Sequence, residues 1–378
     1  MNRAALLRIF IGAAVVLGLS ISTVSAQNVP DRAHPRQVFI DYNVEADGRD
    51  RVMFVDLLTG EQRELLVYGE RYTMLQNTVL YRDTSTDQIM LLSPDLSTRP
   101  HPFIQKPSDA RRIDWLVSPD DQQIVWTITA GTPNALMTDT FIANLDGSNA
   151  HEVLLDGPRD SIRAFPVAFD VNRAVLYMDY QPDAIGDFAP LRQYAALFSV
   201  DVASGDMQEI PGEPGCFCGA GIGAGRFVRL MLADQFSGAA GFNVRLRELV
   251  SGAETTIPTL NLAGYSQGGD VTIAPDGAQA VYTLAQVRGF GTAAQSVQTV
   301  FVLINLLDGT QRQLTDPVNT WFRPVGWTED SRAILITSPT TNGTWKIDLE
   351  DGSLRLIARS SFLGSLIPAS NVSTPPAS

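Results

Sequence analysis

A serine between two glycines is the first candidate for chemistry. Gly264-Tyr265-Ser266-Gln267-Gly268 fits G-x-S-x-G, the pattern of a nucleophile elbow. In that elbow a strand delivers the serine, a helix follows, and an acid and a histidine come later in the chain. Here "GDVTIAPDG", a strand and a turn, follows the serine, and all three histidines (His34, His101, His151) lie upstream. Ser266 is therefore expected in a turn between structural units, and no catalytic residue is assigned. Three scattered histidines do not make a His-based metal site. His101, between Pro100 and Pro102 in an edge strand, and His151, after a hairpin turn, are expected at the surface.

The acidic run Asp41 to Asp50, "DYNVEADGRD", invites comparison with a calcium loop. An EF-hand loop needs Gly at its sixth position and Glu at its twelfth. Counted from Asp41 these are Ala46 and Val52, so the run reads as a solvated loop between two strands. Neither a metal nor another cofactor is assigned. Cys216 and Cys218, two apart on a strand, would have Cα atoms roughly 6.6 Å apart, at the edge of disulfide reach. Two unpaired thiols or a readily reduced bond are expected in place of a stable disulfide. Both lie in "GEPGCFCGAGIGAGRF", 212–227, which stands where a first strand belongs. Its glycines read as a poorly formed strand tolerated inside a ring, or as an edge that widens a channel or holds a ligand there.

These candidates hang on a repeat. One turn recurs before a terminal strand: "DLLTGEQRELL" from Asp56, "NLDGSNAHEVL" from Asn144, "DVASGDMQEI" from Asp201, "ELVSGAETTI" from Glu248, "NLLDGTQRQL" from Asn305 and "DLEDGSLRLI" from Asp348. "SPDLSTRPHPF" from Ser93 is a degenerate copy. Seven copies over this length give about 50 residues per unit, within the range of propeller blades. A second marker, "SPDD" from Ser118, "APDG" from Ala274 and "TEDS" from Thr328, precedes an apolar strand in each case. The blades fall at about 37–67, 72–103, 112–157, 162–212, 215–260, 264–316 and 319–358. In "TVFVLINL", Val300, Val302, Ile304 and Leu306 share one face and Phe301 and Leu303 the other, so the strand must be covered on both sides. The variable loops from Ala130, Gln181 and Ala285 come from one place in the repeat and belong on one side of the disc, where binding usually lives.

This style of blade resembles the WD-repeat-like propeller of the TolB family and is similar to the propellers of prolyl oligopeptidases. The resemblance covers about 37–358 and implies fold and export more than activity. The first family carries a separate α/β domain and the second a hydrolase domain, for which the flanks 27–36 and 359–378 leave no room.

Arg3, Arg8, the apolar run Ile9 to Leu19 and Val24-Ser25-Ala26 read as a secretory signal over 1–26. Its removal deepens the formal charge from −13 to −15. An acidic chain with two lysines, Lys106 and Lys346, and no basic cluster argues against nucleic acid as a partner. No later stretch is apolar enough to span a membrane.

The expected protein is thus exported, periplasmic or extracellular, and all-β: a linker at 27–36, a seven-bladed β-propeller at 37–368 and a flexible tail at 369–378. Ser361–Ile367 is expected to close the ring as the innermost strand of the first blade. The expected function is a non-catalytic scaffold binding a protein, peptide or glycan on one face of the disc. The alternative is a metal-assisted propeller hydrolase or lyase with its active site in the central channel, which would need charged groups converging there.

Overall fold

The computed structural model describes residues 35–184, 191–213, 216–233, 241–258, 260, 262–289, 292 and 294–366. The expected signal (1–26), His34 and the tail lie outside the described residues. Those described form seven four-stranded antiparallel sheets. Blade 1 is β1 (Arg36–Asp41), β2 (Asp50–Asp56) and β3 (Gln62–Val67), completed on the inside by β28 (Ser361–Leu366). Blade 2 is β4 (Gly69–Leu75), β5 (Thr78–Asp83), β6 (Ile89–Leu92) and β7 (Thr98–Pro100). Blade 3 is β8 (Ala110–Val117), β9 (Gln123–Thr132), β10 (Ala135–Asn144) and β11 (His151–Arg159). Blade 4 is β12 (Ile162–Asp170), β13 (Val175–Pro182), β14 (Leu197–Asp201) and β15 (Met207–Glu209). Blade 5 is β16 (Ala220–Gly223), β17 (Arg226–Leu232), β18 (Phe242–Glu248) and β19 (Glu254–Ile257). Blade 6 is β20 (Gln267–Ile273), β21 (Gln279–Arg288), β22 (Ser296–Asn305) and β23 (Gln311–Gln313). Blade 7 is β24 (Arg323–Trp327), β25 (Ala333–Thr337), β26 (Thr344–Asp348) and β27 (Leu354–Ala358).

The recurring turn has a physical cause. In four copies its first residue is an Asp or Asn whose side chain accepts from the backbone two residues on: Asp56 from Leu58, Asp201 from Ala203, Asn305 from Leu307 and Asp348 from Glu350. Its glycine takes the left-handed conformation, as Gly309 does at φ 75°, where a Cβ would be strained. Between blades the core is split. Val300, Val302, Ile304 and Leu306 pack toward blade 5, while Phe301 and Leu303 join Ile334, Ile336 and Ile347 of blade 7. A central strand apolar on both faces is thus covered by its two neighbouring blades.

The ring closes as the sequence predicts. β28 pairs antiparallel with β1, Arg36 opposite Leu366 and Ile40 opposite Ser361. Two expectations change. The presumed loop from Ala130 is strand: β9 and β10 pair directly, with Thr132 opposite Ala135. His101 is buried, not exposed. It lies just beyond β7, where its Nδ1 accepts the Ile104 N–H at 3.0 Å and its ring meets Phe103 edge-on.

Candidate functional site

The inner strands line the channel, and most are irregular. Register shifts interrupt β4, β8, β12, β20, β24 and β28. A bulge re-aims the side chains beside it. At two of them a non-glycine residue is left-handed: Arg71 (φ 57°) in β4 and Asp270 (φ 51°) in β20. Such backbone is costly and is found where the surroundings hold it for a purpose.

These bulges gather charge at one mouth of the channel. A cavity of about 520 Å³ is lined there by Arg71, Arg112, Asp114, Arg163, Arg192 and Arg323, with Tyr72, Phe165 and Phe217 among its other walls. Asp114 is buried between two arginines: Arg163 Nη1 lies 2.7 Å and Arg71 Nη1 2.5 Å from its oxygens. Asp183 is shared by Arg111 (2.7 Å) and Arg112 (3.2 Å). The guanidinium of Arg71 lies over Trp115 and that of Arg163 over Phe165, so both heads are fixed by rings as well as by carboxylates. Arg163 Nε is buried without a hydrogen-bond partner.

Burial and charge oppose each other across this site. Burial lowers the proton affinity of Arg163 against the pull of Asp114, and lowers that of Arg323 against Asp270. Burial would raise the Asp183 carboxyl, but Arg111, Arg112 and Arg163 hold it below the ordinary range. Asp270 goes the other way: burial pushes it up despite Arg323 and Arg192. Its Oδ2 is buried and unpartnered, while Oδ1 accepts the Arg192 N–H at 3.0 Å. Tyr72 donates its hydroxyl to Asp50 at 2.7 Å, and burial together with that carboxylate raises its proton affinity.

One segment ahead of β14 adds to the walls of the mouth. Leu191 to Tyr194, between β13 and β14, is anchored to blades 5 and 6. Tyr194 forms a bridge with Cys218, Gln193 donates to the Gly268 carbonyl at 3.0 Å, and Asp270 N donates to Arg192 O at 3.1 Å. The glycine-rich stretch narrows the ring here. Gly219 and Gly221 bring blade 5 so close to β20 that a Cβ on either would strike Gly269 or Val271. Of the readings offered for this stretch, the one that widens the channel is thus replaced by a close approach, and its residues Ala220–Gly223 form the inner strand β16.

Ser266 is exposed just before β20, directly after the Leu262–Tyr265 turn, with its N–H donating to Ala285 O at 3.2 Å and strand following it. His151 is exposed, its Nδ1 2.8 Å from Asn149 O. The run Asp41–Asp50 spans the link from β1 to β2. Cys216 and Cys218 are joined by a disulfide, which corrects the expectation of unpaired thiols. The chain bends there instead of running as strand, and the Cα separation falls to 5.5 Å. Sequence reasoning missed the arginine cluster, because its members come one or two at a time from successive inner strands. The recoverable signal was an arginine near the start of each of several inner strands: Arg71, Arg112, Arg163 and Arg323.

The residues do not suit a metal ion. Among the described residues no three or more His, Cys, Asp or Glu side chains converge as a metal site, and Asp114 and Asp183 already face arginines.

The chain is a seven-bladed β-propeller with a charged channel mouth. No family model matches it, and no curated protein does. Among solved structures it is similar to an oligogalacturonate lyase in complex with manganese, at 12% identity and TM-score 0.53, covering 86% of this chain and 90% of that one. It is similar to prolyl endopeptidases, at 13% identity and TM-score 0.56, covering 86% of this chain and 50% of that one. It is also similar to an acylaminoacyl peptidase of Pyrococcus horikoshii, at 10% identity and TM-score 0.50, covering 86% of this chain and 51% of that one. The propeller resemblance read from the sequence is thus shown for the fold. The expectation of a non-catalytic binding scaffold is corrected: these neighbours are a lyase and peptidases, and the channel holds the converging charged groups that the alternative required.

Proposed function

We propose that the protein is an enzyme, a propeller lyase acting at the channel mouth on an acidic oligosaccharide. The observation that carries this reading is the arginine cluster. In a chain of formal charge −13, the described residues that line the channel-mouth cavity include Arg71, Arg112, Arg163, Arg192 and Arg323 and one carboxylate, Asp114, with Asp183 paired to Arg112 beside them. Positive charge focused in a low-dielectric cleft recruits anions and stabilises negative charge as it develops. The lyase neighbour is matched over nearly its whole length, whereas the peptidases are matched over about half. That favours elimination over peptide hydrolysis.

In such an elimination the carbon beside a carboxylate loses a proton and the electron pair forms a C=C bond. The C–O bond to the leaving sugar breaks, and the departing oxygen takes up a proton. The arginines bind the carboxylate and stabilise the negative charge that spreads onto it. Tyr72, backed by Asp50, is the proton carrier: its oxygen accepts the proton from that carbon as its own passes to Asp50, and the reverse relay, Asp50 to Tyr72 to the departing oxygen, delivers the proton the leaving sugar takes up. Manganese in the neighbour's complex has no counterpart donor set among the described residues here. Export belongs to the same proposal, supported by the signal-like segment 1–26 and by a disulfide suited to an oxidising compartment.

The test is incubation with acidic and neutral oligosaccharides and with peptides, reading the ultraviolet absorbance of an unsaturated product. Activity on acidic glycans that falls at least about a hundredfold in Arg71→Ala and in Tyr72→Phe supports the reading. Peptide cleavage, or acidic-glycan turnover indifferent to both substitutions, overturns it.

A further inference from the structure

The channel mouth carries a ring that the scaffold does not need there. Phe217 is 41% exposed, while its neighbours Cys216 and Cys218 are buried. It lines the same cavity as Phe165, Arg71 and Arg112. A phenyl ring left in water forgoes the stabilisation that burial would contribute, so stability does not account for its position.

Its position is nevertheless firmly held. The Cys216–Cys218 disulfide closes the turn that carries it. Cys218 exchanges two backbone hydrogen bonds with Tyr194, at 2.9 and 3.2 Å. Beneath the turn lies Arg229, fully buried. It donates to the carbonyls of Cys216, Cys218 and Tyr194 and pairs with Glu213. Burying a guanidinium is expensive unless its donors are met. Here they are met by the main chain on both sides of Phe217.

We propose that Phe217 is the stacking platform for a sugar ring of the substrate, and that the disulfide and Arg229 form the clamp that presents it. An aromatic face is the negative part of its quadrupole and suits the weakly positive C–H face of a pyranose. A ring laid on Phe217 turns its edge, with any carboxylate, toward the arginines. The clamp matters because a platform that need not be ordered on binding loses less affinity to conformational entropy. This inference rests on the reading of the mouth as an anionic-glycan site and adds what selects a ring.

Binding is measured by calorimetry with two probes of like charge: a short oligogalacturonate, which has rings, and a short polyglutamate, which has no pyranose. Phe217→Ala should weaken the oligogalacturonate about tenfold and leave polyglutamate unchanged, and Phe217→Trp should restore it. Arg71→Ala should weaken both. The Cys216→Ser/Cys218→Ser double variant, and the wild type held in reductant, should lose the ring preference in the same way as Phe217→Ala. If Arg71→Ala weakens both probes but Phe217→Ala weakens neither, the platform is overturned and the anionic site stands. If Arg71→Ala changes neither, the anionic site itself falls. If Phe217→Ala acts but the bridgeless protein keeps full preference, the clamp is overturned. Phe217 is exposed, so its variants report on binding even if the cysteine variant fails to fold.

Discussion

Tyr42 and Asn342, 300 residues apart, exchange two hydrogen bonds across the seam of the ring. Tyr42 N donates to Asn342 Oδ1 at 2.9 Å, and Asn342 Nδ2 donates to Tyr42 O at 3.2 Å. Inside them, Thr344 Oγ1 accepts the Phe362 N–H at 2.8 Å, and Phe362 meets Phe39 edge-on. Blades 1 and 7 are thereby joined twice, once through β28 and once through this loop pair.

Removing 359–378 should destabilise the whole protein, because β28 leaves with it and the inner edge of β1 is exposed. Removing only 370–378 should change the melting temperature little. Asn342→Ala should cost about 1 kcal/mol, the net worth of such bonds. Thermal unfolding of the three variants tests this, and equal melting temperatures for the two truncations would place the closure elsewhere.

The buried Arg163–Asp114 pair should be expensive to break from one side. Asp114→Ala leaves the guanidinium of Arg163 with only the more distant Asp183, 3.8 Å from its Nε, and should cost about 3 kcal/mol. Adding Arg163→Met should recover much of that loss. Urea unfolding of both singles and the double gives the coupling directly, and simple additivity would count against a shared buried charge.

His101 should make the fold sensitive to mild acid. Burial, helped by Arg99, lowers its folded-state pKa to about 4, against about 6.5 for a free histidine. Between those values the unfolded chain binds the extra proton, so this contribution is present above about pH 6.5 and is lost as pH falls toward 4. His101→Asn, which keeps an acceptor for Ile104 N–H, should flatten the fall in melting temperature across that window. An unchanged slope would remove His101 as its source.

Close approach of blades 5 and 6 predicts a sharp difference between two glycines. A Cβ on Gly219 would lie 2.5 Å from Gly269 Cα, a backbone atom that cannot swing aside. Gly219→Ala should therefore destabilise by about 1–3 kcal/mol. Gly326 has open space around it, and Gly326→Ala should be neutral or slightly stabilising. Calorimetric melting of the two variants decides it.

The blades were legible because each carries its own turn chemistry. Asp201 and Gly205, or Asn305 and Gly309, form a local device whose residues lie close in sequence. The seam was legible because one strand leads into the next. The site was not, for the opposite reason. Arg71, Asp114 and Arg163 meet only when three blades are side by side, and nothing in the spacing of one blade points to the other two. Left-handed backbone at Arg71 and Asp270 has no sequence signal either, since neither is glycine. His101 misled because flanking prolines suggest exposure, whereas the chain turns inward directly after β7.

A ring fastened by β28 has an order of assembly. Blades 2 to 7 can each complete as their own residues appear, but blade 1 waits for the last strand of the described chain. Until residues 361–366 arrive, β1 presents an unpaired edge, the kind of surface on which partly made proteins associate. Closure then depends less on the length of chain between Arg36 and Leu366 than on the finished blades holding those ends together, since loop entropy grows only slowly with length. Maturation of this protein should therefore be sensitive to whatever shields its opening strands while the rest is being made.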